Sequence, residues 1–152
     1  MSFHEIPSTE LQTLRDWVRW SASHFNRNKL FYGHGTDNAL DEALELVLAT
    51  LHLQHDLPES FLDARTTREE DAQLAANIER RVDQRIPLAY ITGRAWFAGL
   101  EFEVNENVLV PRSPIAELIL EGFHPWLGDK PVGAVLDLCT GSGCIGIACA
   151  YA

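Results

Sequence analysis

The run Val135-Leu136-Asp137-Leu138-Cys139-Thr140-Gly141-Ser142-Gly143-Cys144-Ile145-Gly146 constrains this chain more than any other stretch. Its first four residues read as a buried strand, the small residues after them as a tight turn, and the apolar stretch beyond as the opening of a helix. Glycines at 141 and 143 admit positive φ and remove the Cβ atoms that would hold a ligand away from the backbone. The first amides of the helix lack intrahelical partners, so they face the turn as free donors. A nucleotide-type cofactor can lie on such a backbone.

Gly141, Gly143 and Gly146 also satisfy the dinucleotide pattern of glycines at first, third and sixth place. Asp137 separates the two readings. Dehydrogenase loops carry apolar residues at that position, whereas an acid followed by alternating small residues resembles the first motif of class I S-adenosylmethionine-dependent methyltransferases. Cys139 stands where that motif has its first glycine. A strand-to-helix turn with no ligand is the remaining reading, and the acid together with both glycines argues against it.

The sheet that such a loop serves is not written in the residues before it. A strand of the parallel-sheet kind first occurs near residue 133, and no alternating strand and helix units of a doubly wound sheet precede it. The expectation is therefore a chain truncated within a larger domain. No apolar run is long enough to span a membrane, and the amino terminus lacks the basic-then-apolar layout of a secretory signal. A cytoplasmic protein is expected.

Twelve basic against twenty-two acidic residues give a formal charge of −10, which opposes binding to nucleic acid by bulk electrostatics and favours encounter with a basic protein. Arg80, Arg81 and Arg85 are the one local basic cluster, but Glu79 and Asp83 interleave with it, so a solvated helical face is expected. Cys139, Cys144 and Cys149 recur every five residues, which fits neither a zinc pair nor one helical face, and they read as small packing residues. His52 and His55 lack a neighbouring cysteine or carboxylate that would complete a metal site, and read as surface or capping residues. His34, between two glycines, suits a turn or a partner contact equally.

Thr9 and Gln12 have capping-box spacing ahead of a helix whose stripe is Leu11, Leu14, Val18, Ser21 and Phe25. Gly33 and Gly35 break the pattern. A second helix is expected from about Ala39 to Leu53, with Leu40, Leu44, Val47, Leu48 and Leu51 inward and Asp41, Glu42 and Glu45 near its positive end. Pro58 opens a short element. Thr67 and Glu70 form another capping box, and Leu74, Ile78 and Val82 mark a third buried stripe, ended by Pro87. Residues 1–85 thus read as a helical bundle.

From Leu88 the period shortens. Ala95-Trp96-Phe97, residues 100–104 and Val108-Leu109-Val110 read as hairpin strands, with Ala98-Gly99 as a turn. Residues 86–112 form this linker. Ser113-Pro114 then caps a helix with Ile115, Leu118, Ile119 and Phe123 on its apolar face, so residues 113–152 begin the domain of the glycine loop.

With these residues in hand the chain resembles the amino-terminal half of the glutamine methyltransferases of the HemK/Prm family. The bundle, the hairpin, Leu109-Val110-Pro111-Arg112-Ser113-Pro114 and the Asp-x-Cys-x-Gly-x-Gly loop carry the resemblance. Arg19-Trp20-Ser21, Tyr32-Gly33-His34-Gly35-Thr36-Asp37-Asn38, Ala95-Trp96-Phe97 and the block from Leu138 to Cys144 are most similar to the PrmB-type branch, which modifies a ribosomal protein.

The resemblance implies an α/β architecture: a helical bundle that docks substrate, a β-hairpin linker, and the start of a truncated class I, Rossmann-like methyltransferase domain. It implies S-adenosylmethionine as cofactor and a glutamine side-chain amide of large-subunit ribosomal protein L-three as substrate, with no direct nucleic-acid partner. Carried over residue by residue, Cys139, Thr140, Gly141, Ser142 and Gly143 line the cofactor, Asp137 orients the loop or the methionyl end, and Arg112 runs past the pocket. Glu117 matches the same stretch, and read locally the two residues are a strand-end arginine paired with a helix carboxylate, the reading that the residues alone favour. The Asn-Pro-Pro-Tyr motif that grips the glutamine in this family does not occur in the chain, so no catalytic or metal-binding residue is assigned. The sibling release-factor branch, an adenine-specific DNA methyltransferase and a non-catalytic docking module are the alternatives.

Overall fold

The computed structural model describes residues 10–33, 35–128 and 132–152. They form two compact units, Met1–Thr92 and Gly93–Ala152. The expected roles of Thr9 and His34 fall outside the described residues.

The first unit is helical. Helix α1 (Leu14–Arg27) begins at Thr13, whose hydroxyl accepts from the Asp16 amide while the Asp16 carboxylate accepts from the Thr13 amide. The capping box therefore sits four residues later than the Thr9 spacing suggests, because Asp16 fills the place that a Glu or Gln usually takes. Leu14, Trp17, Val18, Ser21 and Phe25 are the buried stripe. Leu11 is buried too, but ahead of the helix.

Helix α2 (Ala39–Thr50) starts at Asn38, whose side chain accepts from the amides of Leu40 and Asp41. Its inward face is Ala39, Glu42, Ala43, Leu46, Val47, Leu48 and Ala49, so the helix is rotated from the expected stripe. Leu40 points outward and Glu42 points in. A short 3-10 helix (Glu59–Asp63) follows Pro58. Helix α3 (Arg68–Val82) carries the Thr67 and Glu70 capping box and buries Leu74, Ile78 and Val82 as its spacing predicts.

A single core joins the three helices, with Trp17, Phe25, Ala43, Leu46, Val47, Leu74 and Ile78 all fully buried. Polar ties fix its edges. Asp71 Oδ1 accepts from Trp17 Nε1 at 3.1 Å and from the Thr66 hydroxyl at 2.6 Å, linking α1 to the start of α3. Arg81 overturns the solvated-face expectation: it is buried, and its Nε donates to the equally buried Glu42. Glu42 can lie inside only because this guanidinium meets it there. Arg85 instead reaches the Asn28 carbonyl at 3.0 Å. Helix α4 (Leu88–Thr92), which the periodicity did not show, closes the unit.

The second unit opens with strands β1 (Arg94–Phe97) and β2 (Leu100–Glu103), an antiparallel hairpin in which Phe97 faces Leu100. Ala98 and Gly99 both have positive φ, 48° and 78°, the geometry of a two-residue hairpin turn whose twist matches the strands. Residues 108–110 do not extend the hairpin: the structure gives them no strand, and Leu109 is exposed. Helix α5 (Ile115–Leu120) starts where expected, with the Ser113 hydroxyl accepting from the Ile115 amide at 3.2 Å, yet buries only Ile119. Phe97, Ile119, Cys144 and Ala148 form the small core that joins the hairpin to α5 and to helix α6 (Cys144–Tyr151).

The architecture is thus helix-rich with one two-stranded antiparallel sheet among the described residues. Among the described residues, no helix is long and apolar enough to cross a membrane.

Candidate functional site

Residues 135–138 are expected as a buried strand, and the structure corrects this. They pair with no strand among the described residues, and Val135, Leu136 and Leu138 are exposed. A strand of this composition is stable when flanked on both sides and covered on both faces, and those neighbours are not among the described residues.

The turn that follows is sharply defined. Cys139, Gly141 and Gly143 have φ of 60°, 58° and 76°, three left-handed residues in alternation. Glycine adopts this conformation freely, whereas Cys139 pays a steric penalty of about 1 kcal/mol at the place where the methyltransferase motif has glycine. A Cβ built on Gly141 would meet only the Cys139 carbonyl oxygen, at 4.0 Å, so the space over that residue is open.

The loop's own groups satisfy several of its amides. Gly143 N donates to the Thr140 carbonyl at 2.9 Å, and Cys144 N reaches the Ser142 hydroxyl at 3.4 Å. The Thr140 hydroxyl donates to the Asp137 carbonyl at 3.1 Å. Gly143, at the helix start, has no side chain to cap with. Asp137 supplies that function: its Oδ2 accepts from the amide of Gly146, nine residues further on, at 3.2 Å. The carboxylate also complements the positive end of α6. Gly146, the third glycine of the pattern, is where the carboxylate approaches: a Cβ there would lie 3.5 Å from Asp137 Oδ2. This contact was not read from the sequence, although the register of the three glycines signals it.

The structure therefore brings Asp137, Thr140, Ser142, Gly143 and Gly146 together in one loop, with the exposed Cys139 and Gly141 on its outer side. Among the described residues, the amides of Gly141 and Ser142 donate to no protein acceptor and stay available to a ligand. Arg112 is exposed, and no ion pair joins it to Glu117 among the described residues. Cys139 is an exposed thiol, while Cys144 is buried against Ile119 and Ala148.

The histidines take local roles. His52 ends α2 in the left-handed region, with φ of 55°, and His55 Nε2 lies 2.7 Å from Glu45 Oε2. Among the described residues, no group of three or more histidines, cysteines or carboxylates is placed to hold a metal ion.

No family model matches the chain. Individual proteins do. Over 139 residues, 91% of its length, the chain is 57% identical to the ribosomal protein uL3 glutamine methyltransferase of Xanthomonas campestris pv. campestris. It is 55% identical over the same extent to the proteins of that name from two strains of Xylella fastidiosa. The chain spans 45% of the length of each of these curated relatives. Along nine-tenths of its sequence, then, the chain is similar to proteins named ribosomal protein uL3 glutamine methyltransferase, in agreement with the PrmB-type resemblance of its motifs.

Proposed function

We propose that the chain contributes the substrate-docking bundle and the first cofactor loop of an enzyme that methylates the side-chain amide nitrogen of a glutamine in ribosomal protein uL3, in the cytoplasm. The observation that carries this reading is the 57% identity over 139 residues to a protein named for that activity. The alternating left-handed residues and open space over Gly141 support it.

The residues fit S-adenosylmethionine. Cys139, Thr140, Gly141, Ser142 and Gly143 line the bend, the amides of Gly141 and Ser142 have no protein acceptor among the described residues, Asp137 accepts from the Gly146 amide across the bend, and Arg112 is the cation that the resemblance assigns to the pocket. When bound, the cofactor supplies an electrophilic methyl group on a positively charged sulfur. A glutamine amide nitrogen is a poor nucleophile because its lone pair is delocalised into the carbonyl. Acceleration then rests on orientation, exclusion of water and hydrogen bonds to the amide rather than on a strong base. The Rossmann-like sheet belongs to this proposal.

Gly141→Val tests the loop. It places a branched side chain where ligand atoms would lie, so S-adenosylmethionine affinity should collapse in calorimetry while the bundle keeps its helical signal. Cys139→Gly should bind at least as well as the unaltered protein, because it relieves a left-handed residue and adds no bulk. In the longer enzyme that the proposal describes, methyl transfer to uL3, to a release factor and to duplex DNA, measured side by side, decides the substrate. Equal cofactor binding by Gly141→Val, or label in DNA rather than uL3, would overturn the reading. The 152-residue chain by itself should give no labelled product, since it contains no Asn-Pro-Pro-Tyr motif.

A further inference from the structure

The first unit exposes large apolar side chains at few places, and two of them flank one built segment. Phe31 is 78% exposed and Leu40 57% exposed, in a unit whose other large apolar residues are mostly interior. The segment between them is held by the buried ion pair. Arg81 Nη2 donates to the Phe31 carbonyl at 2.9 Å, and the Thr36 hydroxyl donates to Glu42 Oε2 at 3.0 Å. Residues 31 and 36 are thus tied to the two partners of a single pair, while the Tyr32 ring packs against the core.

The display of Phe31 is fixed locally as well. Gly33 has φ of 148°, and a Cβ on it would lie 3.2 Å from the Phe31 ring, so the ring rests on a glycine that leaves room for it. At the other end, Asn38 Nδ2 donates to both Asp37 Oδ1 and Asp41 Oδ2 at 2.7 Å, which holds two carboxylates together beside Leu40. Among the described residues no cation pairs with either carboxylate. Exposed apolar groups held beside two carboxylates that pair with no cation among the described residues suit a partner that brings the complement of both.

We propose that Phe31, Asp37, Leu40 and Asp41 form the docking face of the first unit for a basic protein segment that presents an apolar side chain among its positive charges. This rests on the reading that the partner is the ribosomal protein substrate. The open groove of about 560 Å³ elsewhere on the unit is the wrong site for such a segment. Arg65 and Arg68, both exposed cations, line it, and its one carboxylate, Asp71, already accepts from Trp17 and Thr66. A basic segment is repelled there and attracted to the Asp37 and Asp41 end.

The test measures binding of the 152-residue chain to purified, unmethylated uL3 by calorimetry at several salt concentrations, with helical content checked for every variant. Phe31→Ser with Leu40→Ser should weaken binding by about tenfold or more, as the loss of apolar anchors does. Asp37→Asn with Asp41→Asn should weaken it by about threefold and flatten its salt dependence. Arg65→Ser with Arg68→Ser should leave affinity unchanged or raise it. Folded Phe31→Ser, Leu40→Ser chain that binds uL3 within about twofold of the unaltered chain overturns the face, and so does a loss on changing the groove arginines. Failure of the unaltered chain to bind uL3 overturns it also. The functional reading fails separately, by methyl transfer to a substrate other than uL3.

Discussion

Residues 14–50 and residues 135–138 are both rich in apolar side chains, and they meet opposite fates. Trp17 and Leu46 are completely buried, while Leu136 and Leu138 are 80% and 75% exposed. A helix satisfies its backbone hydrogen bonds internally and needs only one apolar stripe covered, so α1, α2 and α3 complete one another within a short length of chain. A strand apolar on both faces needs flanking strands and two covering layers. The difference teaches that apolar content shows how strongly a segment asks for partners, while secondary-structure type determines how many it needs.

The largest test of that comparison attacks the bundle at its buried charge. Arg81→Met leaves the Glu42 carboxylate inside without its cation and should cost about 3–5 kcal/mol in urea unfolding. Glu42→Leu combined with Arg81→Met should recover most of that loss, because neither charge then remains. A single variant as stable as the parent would mean that the pair is open to solvent, and that the bundle's interior is no drier than the glycine loop.

A smaller effect is expected at the start of α1. Thr13→Ala should cost about 1 kcal/mol through loss of the helix cap. The Asp16 carboxyl is held below the ordinary carboxylate range by the Gln12 amide and the Thr13 hydroxyl, with the Thr13 amide adding to them. Its contribution is therefore full above the unfolded carboxylate value of about 3.9 and is lost as pH falls through the lower folded value. Asp16→Asn should flatten the acid limb of the stability profile and leave the neutral region less affected. An unchanged acid limb would show that the box does not form in solution.

The smallest effect sharpens the contrast from the other side. Leu136→Ser removes a large apolar side chain, yet should change the stability of the chain by less than about 0.5 kcal/mol, since that side chain is already in water. A larger loss would reveal packing at residues 135–138 that the exposure of Leu136 denies.

How much was legible follows from how local each determinant is. The Thr67 and Glu70 box, the Leu74, Ile78 and Val82 stripe and the Ala98-Gly99 turn were readable because each is decided within a few residues. The rotation of α2 was not, since Glu42 faces inward on account of Arg81, thirty-nine residues away. Thr9 and Thr13 both offer capping spacing, and the bridge between Thr13 and Arg65 helps place the helix start at the latter. Residues 108–110 look like a strand by composition, yet the hairpin register runs only from the Arg94 and Glu103 pair to the Phe97 and Leu100 pair. At the glycine loop the alternation of left-handed residues was visible from Gly141 and Gly143, whereas the reach of Asp137 to Gly146 depends on how the turn closes.

That reach carries a consequence in polymer terms. The bond from the Gly146 amide to Asp137 closes a ring across nine residues of backbone, so the segment it encloses samples far fewer shapes than an open chain of that length. The closing entropy is met by a group inside the chain. A small molecule that settled on Thr140, Gly141 and Ser142, as proposed for the cofactor, would meet a surface already curved, and less of its binding free energy would go into ordering the backbone beneath it.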